Sequence, residues 1–388
     1  MKSQQPAALS PFSDLAISIA TKLRAEIAAC GPIPFSRFME ASLYDPDDGF
    51  YSAGKARIGG QGADFYTSVG RSPVFGEILA EQIAECWERL GGPNPCVLIE
   101  HGAFDGTLFG HVLDALERHH PRANQALERC IVEPFPALRE RQQDRLNGRH
   151  VRWVSDASGT NSPVAIHFAN ELLDAQPVAI LRWNGARWTE MGVDWSDGRF
   201  VFTERPAVDG NLTRWVNGWP IPPTAPFLAE VSDDASEWIR TCLRGMERGV
   251  MLLADYGWRR DEFFAHHRAE GTVRGYRAHQ MIRDVLESPG DIDLTAHVDW
   301  TAIADAARSV GGDVAGFIDQ HRFLVGAGEA CLRRWEYAEG GEARRRSFAS
   351  LSHPETMGRA FKFLLLTKGL PGSARFAGFR YRRASDAL

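Results

Sequence analysis

Lysine is scarce in this chain. Of 44 basic residues only Lys2, Lys22, Lys55, Lys362 and Lys368 are lysines, a usage that hints at a GC-rich bacterial genome. No long basic block interrupts a net charge of -6. This argues against a nucleic-acid backbone binder, which presents a basic face. No apolar run approaches the ~18 residues of a membrane span, and "MKSQQPAALSPFSDLAISIATKL" has no continuous signal core or cleavage pattern. The six cysteines (Cys30, Cys86, Cys96, Cys130, Cys242, Cys331) form no C-x-x-C pair and read as buried free thiols of a reducing compartment. A cytoplasmic location is therefore expected. His266, His267 and His279 lie close in sequence without zinc spacing, so no metal is expected. "VGRSPVFG" is not a nucleophile elbow, which disfavours a hydrolase. "RRWEYAEGGEARRR" reads as a solvated helix and loop.

What is present is an ordinary globular balance, 44% hydrophobic and 24% charged over 388 residues, enough for a sizeable core. "SDLAISIATKLRAEIAACG" predicts a helix capped by Ser13, with Leu15, Ile19, Leu23 and Ile27 on one face and Gly31 at its end. "GPIPFSRFMEASLYDP" predicts a second, with Phe35, Phe38, Met39 and Leu43 apolar. After a glycine-rich stretch (50–70) and a helix over about 73–90, strands at 96–100, 129–134, 151–156 and 163–175 alternate with helices. That rhythm predicts an α/β fold, a doubly wound and mostly parallel sheet covered on both faces. Between 178 and 205, alternating residues around Asn184-Gly185 and Asp197-Gly198 predict antiparallel hairpins. A helix near 233–246, the strand "GVMLLADYG", a helical region near 298–310, "FKFLLLTKG" and "FAGFRYRR" complete the chain. The divisions are 1–72, an N-terminal helical cap and cofactor-covering segment; 73–177, the first part of the core; 178–232, an inserted antiparallel lobe; and 233–388, the rest of the core.

Ligands of such sheets sit at the carboxyl ends of the strands, near the switch point. Glu100 ends the first strand, before Gly102 and Gly106. Glu133 ends the second, where an acid typically accepts hydrogen bonds from ribose hydroxyls, or caps a helix. Asn170, Glu171 and Asp174 crowd the end of the fourth, over the same crevice or as caps for the next helix.

The strings "GPIPFSRFMEASLYDPDDGFY", "GADFYTS", "IEHGAFDGTL", "VEPFPALRERQ", "NELLDAQPV", "LADYG", "DIDLTAHVDW" and "MGRAFKFLLLTKG" resemble, across nearly the whole chain, the MidA-like family of S-adenosylmethionine-dependent methyltransferases. Mitochondrial members of that family assist assembly of the respiratory NADH dehydrogenase. The resemblance implies a class I methyltransferase fold with a seven-stranded sheet, S-adenosylmethionine as cofactor and, in the mitochondrial case, a protein arginine as acceptor. By resemblance, Glu100, Gly102 and Gly106 form the cofactor loop, Glu133 is the ribose acid, and Asp64, Phe65 and Thr67 belong to a segment folding over the cofactor. Asp255-Tyr256-Gly257 and the run from Asp293 to His297 match later signatures.

In-line methyl transfer needs the donor and acceptor aligned and water excluded. For a guanidinium acceptor, Glu171 and Asp174 are the candidates for a bidentate grip, with Asn170 orienting. Another nucleophilic nitrogen or oxygen, on a protein or a small molecule, is the other acceptor class. Tyr256 or Phe65 is positioned in sequence to face a sulfonium, or simply to pack. His297 reads as a proton acceptor or as a fold residue. Neither a nucleic acid nor a membrane is expected as partner, and the oligomeric state is left open, a homodimer included.

Two places depart from the family. The middle glycine of Glu-x-Gly-x-Gly-x-Gly is Phe104, and Val69-Gly70-Arg71 stands where Pro-Glu is usual. A catalytically inactive relative that binds a partner is therefore the competing reading, with Phe104 altering the cofactor site. A nicotinamide oxidoreductase is disfavoured by the segment after strand four.

Overall fold

The computed structural model describes residues 18–56, 72–205, 215–278, 280–354, 358–370 and 374–388. In chain order the strands begin with β1 (Ile33–Pro34), β2 (Cys96–His101), β3 (Leu127–Val132), β4 (Val151–Val154) and β5 (Val164–Asn170). There follow β6 (Ala179–Trp183), β7 (Trp188–Ser196), β8 (Arg199–Arg205), β9 (Phe227–Val231) and β10 (Arg248–Trp258). The last are β11 (Arg274–Arg277), β12 (Gln280–Ile282), β13 (Asp293–Thr295), β14 (Val298–Asp299), β15 (Asp313–Asp319) and β16 (Phe361–Lys368). The helices used below are α1 (Ile19–Cys30), α2 (Phe35–Tyr44), α3 (Val74–Arg89), α4 (Thr107–His119), α5 (Pro121–Ala126), α6 (Pro136–Arg145) and α7 (Asp233–Arg244).

The central sheet runs β15-β16-β10-β5-β2-β3-β4, with β14 as an eighth strand beside β10. Strands β4, β3, β2, β5 and β10 are parallel, and β16 is antiparallel to both β10 and β15. The chain moves outward from β2 to β3 and β4, then returns to lay β5 against the other side of β2. That reversal opens the crevice where β2 and β5 end. Every residue of β2 is buried, because helices cover both faces of a parallel sheet. One hydrophobic cluster, with Phe75, Phe109 and Phe168, fills one face, and another, with Ile239, Leu253 and Trp300, fills the other. The sheet thus has eight strands where the resemblance implies seven, the extra one being a two-residue pairing with the overlong end of β10.

The alternating segment forms a second sheet, β1-β7-β6-β9 with β8 on β7, turning at Asn184-Gly185 and Asp197-Gly198 as the turn residues require. Asn184 Oδ1 accepts the N–H groups of Ala186 and Arg187 at 2.9 Å. Strand β1 comes from the N-terminal segment, and the apolar face of α2 packs on this sheet, Phe38 edge-on to Phe200 at 5.4 Å. The N-terminal helices and the inserted strands therefore share one hydrophobic cluster. Helix α1 is capped by Ser18, which accepts from Thr21 N at 3.3 Å; Ser13 lies outside the described residues.

Three features have no clear local signal in the sequence: the small sheet β12-β11-β13, strand β15 and the helix Gln320–Ala327; "RRWEYAEGGEARRR", read as a helix and loop, spans parts of two helices, Glu329–Tyr337 and Gly341–Ser352. The fourth core strand also ends earlier than its apolar run suggests, at Asn170 rather than within the following residues. No helix among the described residues is long and apolar enough to cross a membrane.

Candidate active site

The crevice at the ends of β2 and β5 is a cavity of about 910 Å³, within the ~300–1,000 Å³ usual for small-molecule sites. Glu100, Gly102, Glu133, Asn170, Glu171 and Asp174 all line it. Gly106 does not; it is the left-handed residue (φ 79°) that starts α4. Asp64, Phe65 and Thr67 lie outside the described residues.

The loop after β2 is shaped by its glycines. Gly102 adopts φ 66°, a left-handed backbone that favours glycine, and a Cβ there would also displace Leu172 Cδ1, 2.9 Å away, in the segment after β5. Phe104 also adopts a left-handed backbone, φ 48°, which costs a bulky residue roughly 1–2 kcal/mol. Its half-buried side chain packs against the N-terminal cluster, and the residue forms part of the cavity wall.

Glu100 is 2% exposed, and its Oε2 has no hydrogen-bond partner. Burial, with Asp105 nearby, pushes its carboxyl well above the usual range. An orphaned buried carboxylate oxygen is costly, and a ligand ammonium would satisfy it. Glu133 is held differently. Its Oε1 accepts from Phe135 N at 3.1 Å and its Oε2 from Gln142 Nε2 at 2.8 Å, while burial raises its pKa to about 7. The same Gln142 nitrogen donates to the carbonyl of Phe104 at 2.9 Å, and Gln142 Oε1 accepts the indole N–H of Trp153 at 3.0 Å. Indole only donates, which fixes the amide orientation. One fully buried glutamine thus ties the glycine loop to the acid after β3. Within "RERQQDRL" it reads as a solvent-facing helical residue. At the end of β4, Ser155, Asp156 and Ala157 add a further wall.

Across the cavity the acids crowd together. Glu171 is left-handed (φ 53°) and takes a hydrogen bond from Asn170 Nδ2 at 3.0 Å; Asn170 Oδ1 is buried without a partner. Asp255, at the end of β10, explains the loop that follows β5. Its Oδ2 accepts the N–H groups of Leu172, Leu173 and Asp174 at 3.1, 2.7 and 3.2 Å. Burial nevertheless lifts its pKa to about 7. Asp174 is raised well above its usual range by burial, then by Asp255, Asp293 and Glu171. Asp293, on β13, accepts from Tyr51 OH at 2.8 Å, and Tyr44, Tyr51, Tyr256 and Tyr276 complete this wall. Sequence reasoning missed Asp293 as a wall residue, although it opens a family signature; nothing local announces that β13 folds back over β5.

His297 lines the same wall. Its Nδ1 accepts the indole N–H of Trp258 at 2.8 Å, and burial, aided by Arg268, Arg274 and Lys362, lowers its pKa to about 4. A neutral imidazole whose Nδ1 accepts carries its proton on Nε2. His297 is therefore a donor at the cavity and not a proton acceptor.

His101, His167 and Cys242 form a buried group with metal-like spacing. Trp238 Nε1 donates to His101 Nδ1 at 3.2 Å, so His101 Nε2 bears the proton and donates to His167 Nδ1 at 2.9 Å. A ligating histidine instead donates from its second nitrogen. The group is a hydrogen-bonded chain. His266 and His267 sit in an exposed turn, and His279 lies outside the described residues.

One end of the cavity thus suits an amine and hydroxyls, with an orphaned acid at Glu100 and a glycine cradle at Gly102; these features fit S-adenosylmethionine. Residues 78–318 match the S-adenosyl-L-methionine-dependent methyltransferase family Methyltransf_28. The chain is 29% identical over 406 residues to the mitochondrial protein arginine methyltransferase NDUFAF7 homolog of Drosophila melanogaster, covering 95% of this chain and 89% of that relative. It is 28% identical to the mitochondrial NDUFAF7 of Homo sapiens, covering 92% and 84%. A COG1565 superfamily member from Burkholderia thailandensis, solved with S-adenosyl-homocysteine bound, superposes with a TM-score of 0.84 at 30% identity, covering 95% of this chain and 96% of that one. The match spans the central sheet and the acids at its strand ends, and the chain belongs to the MidA-like family of S-adenosylmethionine-dependent methyltransferases.

Proposed function

We propose that this methyltransferase acts on the guanidinium of a protein arginine. The observation that carries the reading is the wall of Glu171, Asp174 and Asp293 on one side of the cavity, backed by the buried Asp255. Three acids on one wall, with a fourth close behind, repel one another in their ionised forms unless a cation joins them. A guanidinium, planar and rich in donors, matches such a wall. The animal relatives, named protein arginine methyltransferases, support it.

The cofactor, when bound, supplies an electrophilic methyl on a sulfonium. Glu100 would hold its ammonium, Gly102 would admit its backbone-hugging chain, Glu133 would accept from its ribose hydroxyls, and Asp156 with Ala157 would flank its base. Glu171 and Asp174 grip the acceptor, and Asn170 orients Glu171. Gripping both edges of the guanidinium leaves one nitrogen aimed at the methyl, and the proton released on transfer passes to a wall carboxylate. Tyr256 faces the reacting centre, and Tyr44 and Tyr51 cover it. The strand order, with β16 antiparallel, supports the class I arrangement. The inactive alternative requires Phe104 to close the site, and a 910 Å³ cavity stands open with Phe104 in its wall. A reducing, cytoplasmic setting fits six unpaired cysteines.

The test is incubation of the purified protein with methyl-deuterated S-adenosylmethionine and arginine-, lysine- and glutamine-centred peptides, read by mass spectrometry. Label on the arginine side chain is the expected result. Label confined to the other peptides would sink the arginine assignment.

A further inference from the structure

Beyond its carboxylates, the cavity wall continues through Trp258, His297 and Ala360, and the residues packed around Trp258 and His297, outside the lining itself, are cations. The Arg268 guanidinium lies 3.7 Å from the Trp258 ring centroid and Lys362 Nζ 5.0 Å from it. Both, with Arg274, stand close enough to His297 to disfavour its charged form. None of the three forms an ion pair among the described residues. Arg268 Nε is buried without a hydrogen-bond partner. Lys362 donates to the carbonyl of Arg359, and Arg274 to that of Val273.

Many cations elsewhere are paired, though Arg129 and Arg139 also keep a buried Nε without a partner. Arg205 pairs with Glu190, Arg260 with Asp299, Arg322 with Asp386, and Arg334 with Glu81. With 50 acidic against 44 basic residues, partners are plentiful. Yet Arg268 and Lys362 share one indole and, with Arg274, flank a neutral imidazole, while Glu262 stands near Arg268 and Lys362, and Asp319 near Lys362, without an ion pair to either among the described residues. Cation–π contact with Trp258 offsets part of the mutual repulsion, but leaves Arg268 Nε without an acceptor. A carboxylate would supply one.

We propose that Arg268, Arg274 and Lys362 bind the carboxylate of an Asp or Glu flanking the arginine that is methylated. The proposal rests on the arginine reading above. The acceptor segment is then dipolar: its guanidinium meets Glu171 and Asp174, its acid meets the cationic rim, and the two contacts together fix the direction in which the chain crosses the mouth. The rim also rejects wrong substrates. An acid-lined pocket alone would welcome any arginine-rich segment, and three cations beside it repel a second arginine.

The test uses the full chain, S-adenosylmethionine and arginine-centred nonapeptides, with one Glu placed in turn at each of the three positions on either side and a Gln counterpart for each. At one or two positions the Glu peptide should show a KM about tenfold lower than its Gln partner, with kcat unchanged. Arg268→Gln combined with Lys362→Gln should erase that gap while leaving kcat/KM for the Gln peptides and the affinity for S-adenosylhomocysteine unaltered. Arg268→Lys, which keeps the charge, should retain most of it. Methylation of arginine peptides with equal KM at every position, or a gap that survives in the double variant, would overturn this proposal alone. Methyl transfer to lysine-centred peptides and to none of the arginine set would overturn the arginine reading together with it.

Discussion

Glu100 and Glu133 stand apart, each at the end of its own strand, whereas Glu171, Asp174 and Asp293 share one wall with Asp255 close behind it. In the first region each acid has its own arrangement: an orphaned oxygen at Glu100, a full set of neutral donors at Glu133. Isolated acids of that kind suit a neutral or singly charged group at a fixed place, such as a hydroxyl or an amine. In the second region the acids raise one another's pKa on top of burial, which suits a delocalised cation reaching several of them. In the proposed reading, one cavity separates recognition of the cofactor from recognition of the acceptor by the spacing of its carboxylates.

The sharpest way to break that comparison is Glu171→Gln. Losing one partner of a buried charged pair costs about 2–5 kcal/mol, so turnover should fall by roughly 10²–10³-fold while calorimetry shows S-adenosylhomocysteine bound as before. Joint loss of binding and turnover would mean that the two regions are not separate.

A smaller effect is expected across the cavity. Glu133→Ala should weaken S-adenosylmethionine about tenfold, the worth of a hydrogen bond to a charged group. The wild-type affinity should also depend on pH. Burial raises Glu133 from 4.5 to about 7, and ribose hydroxyls donate best to its ionised form. Affinity should therefore be about tenfold weaker at pH 6 than at pH 8, and Glu133→Gln should flatten the profile. Folding stability runs the other way: the proton is held more tightly in the fold, so this contribution is full below pH 4.5 and is lost as the pH rises through 7. A pH-independent wild-type affinity would remove Glu133 from the ribose.

The smallest effect concerns Phe104. The left-handed backbone argues for glycine, and the ring packed on the N-terminal cluster argues for phenylalanine. Phe104→Ala removes the ring and keeps the strain, while Phe104→Gly removes both. In denaturant unfolding the glycine variant should be the more stable of the two by about 1 kcal/mol. Equal stabilities would mean that the backbone is not strained there.

Much of this site is legible along the chain. Strand ends are marked by local apolar runs, so Glu100, Glu133 and the Asn170–Asp174 segment can be set over one crevice from the order of residues alone. Gln142, Asp255 and Asp293 resist such reading because their partners lie far away in sequence. Gln142 reaches back 38 residues to Phe104, and Asp255 holds the backbone of Leu172, 83 residues earlier. The shared cluster of α1, α2 and the inserted sheet is hidden for the same reason: an amphipathic face announces that it will be buried, not against what.

The sequence alone determined the alternating α/β core, the hairpins at Asn184-Gly185 and Asp197-Gly198, and the acids at the strand ends, since periodicity and turn chemistry act over a few residues. Long-range packing decided that Phe104 takes a left-handed backbone and leaves the cavity open, that His297 is a donor, and that Arg268 and Lys362 meet over Trp258. Those outcomes depend on packing and charge between elements far apart in the chain, which no local pattern records.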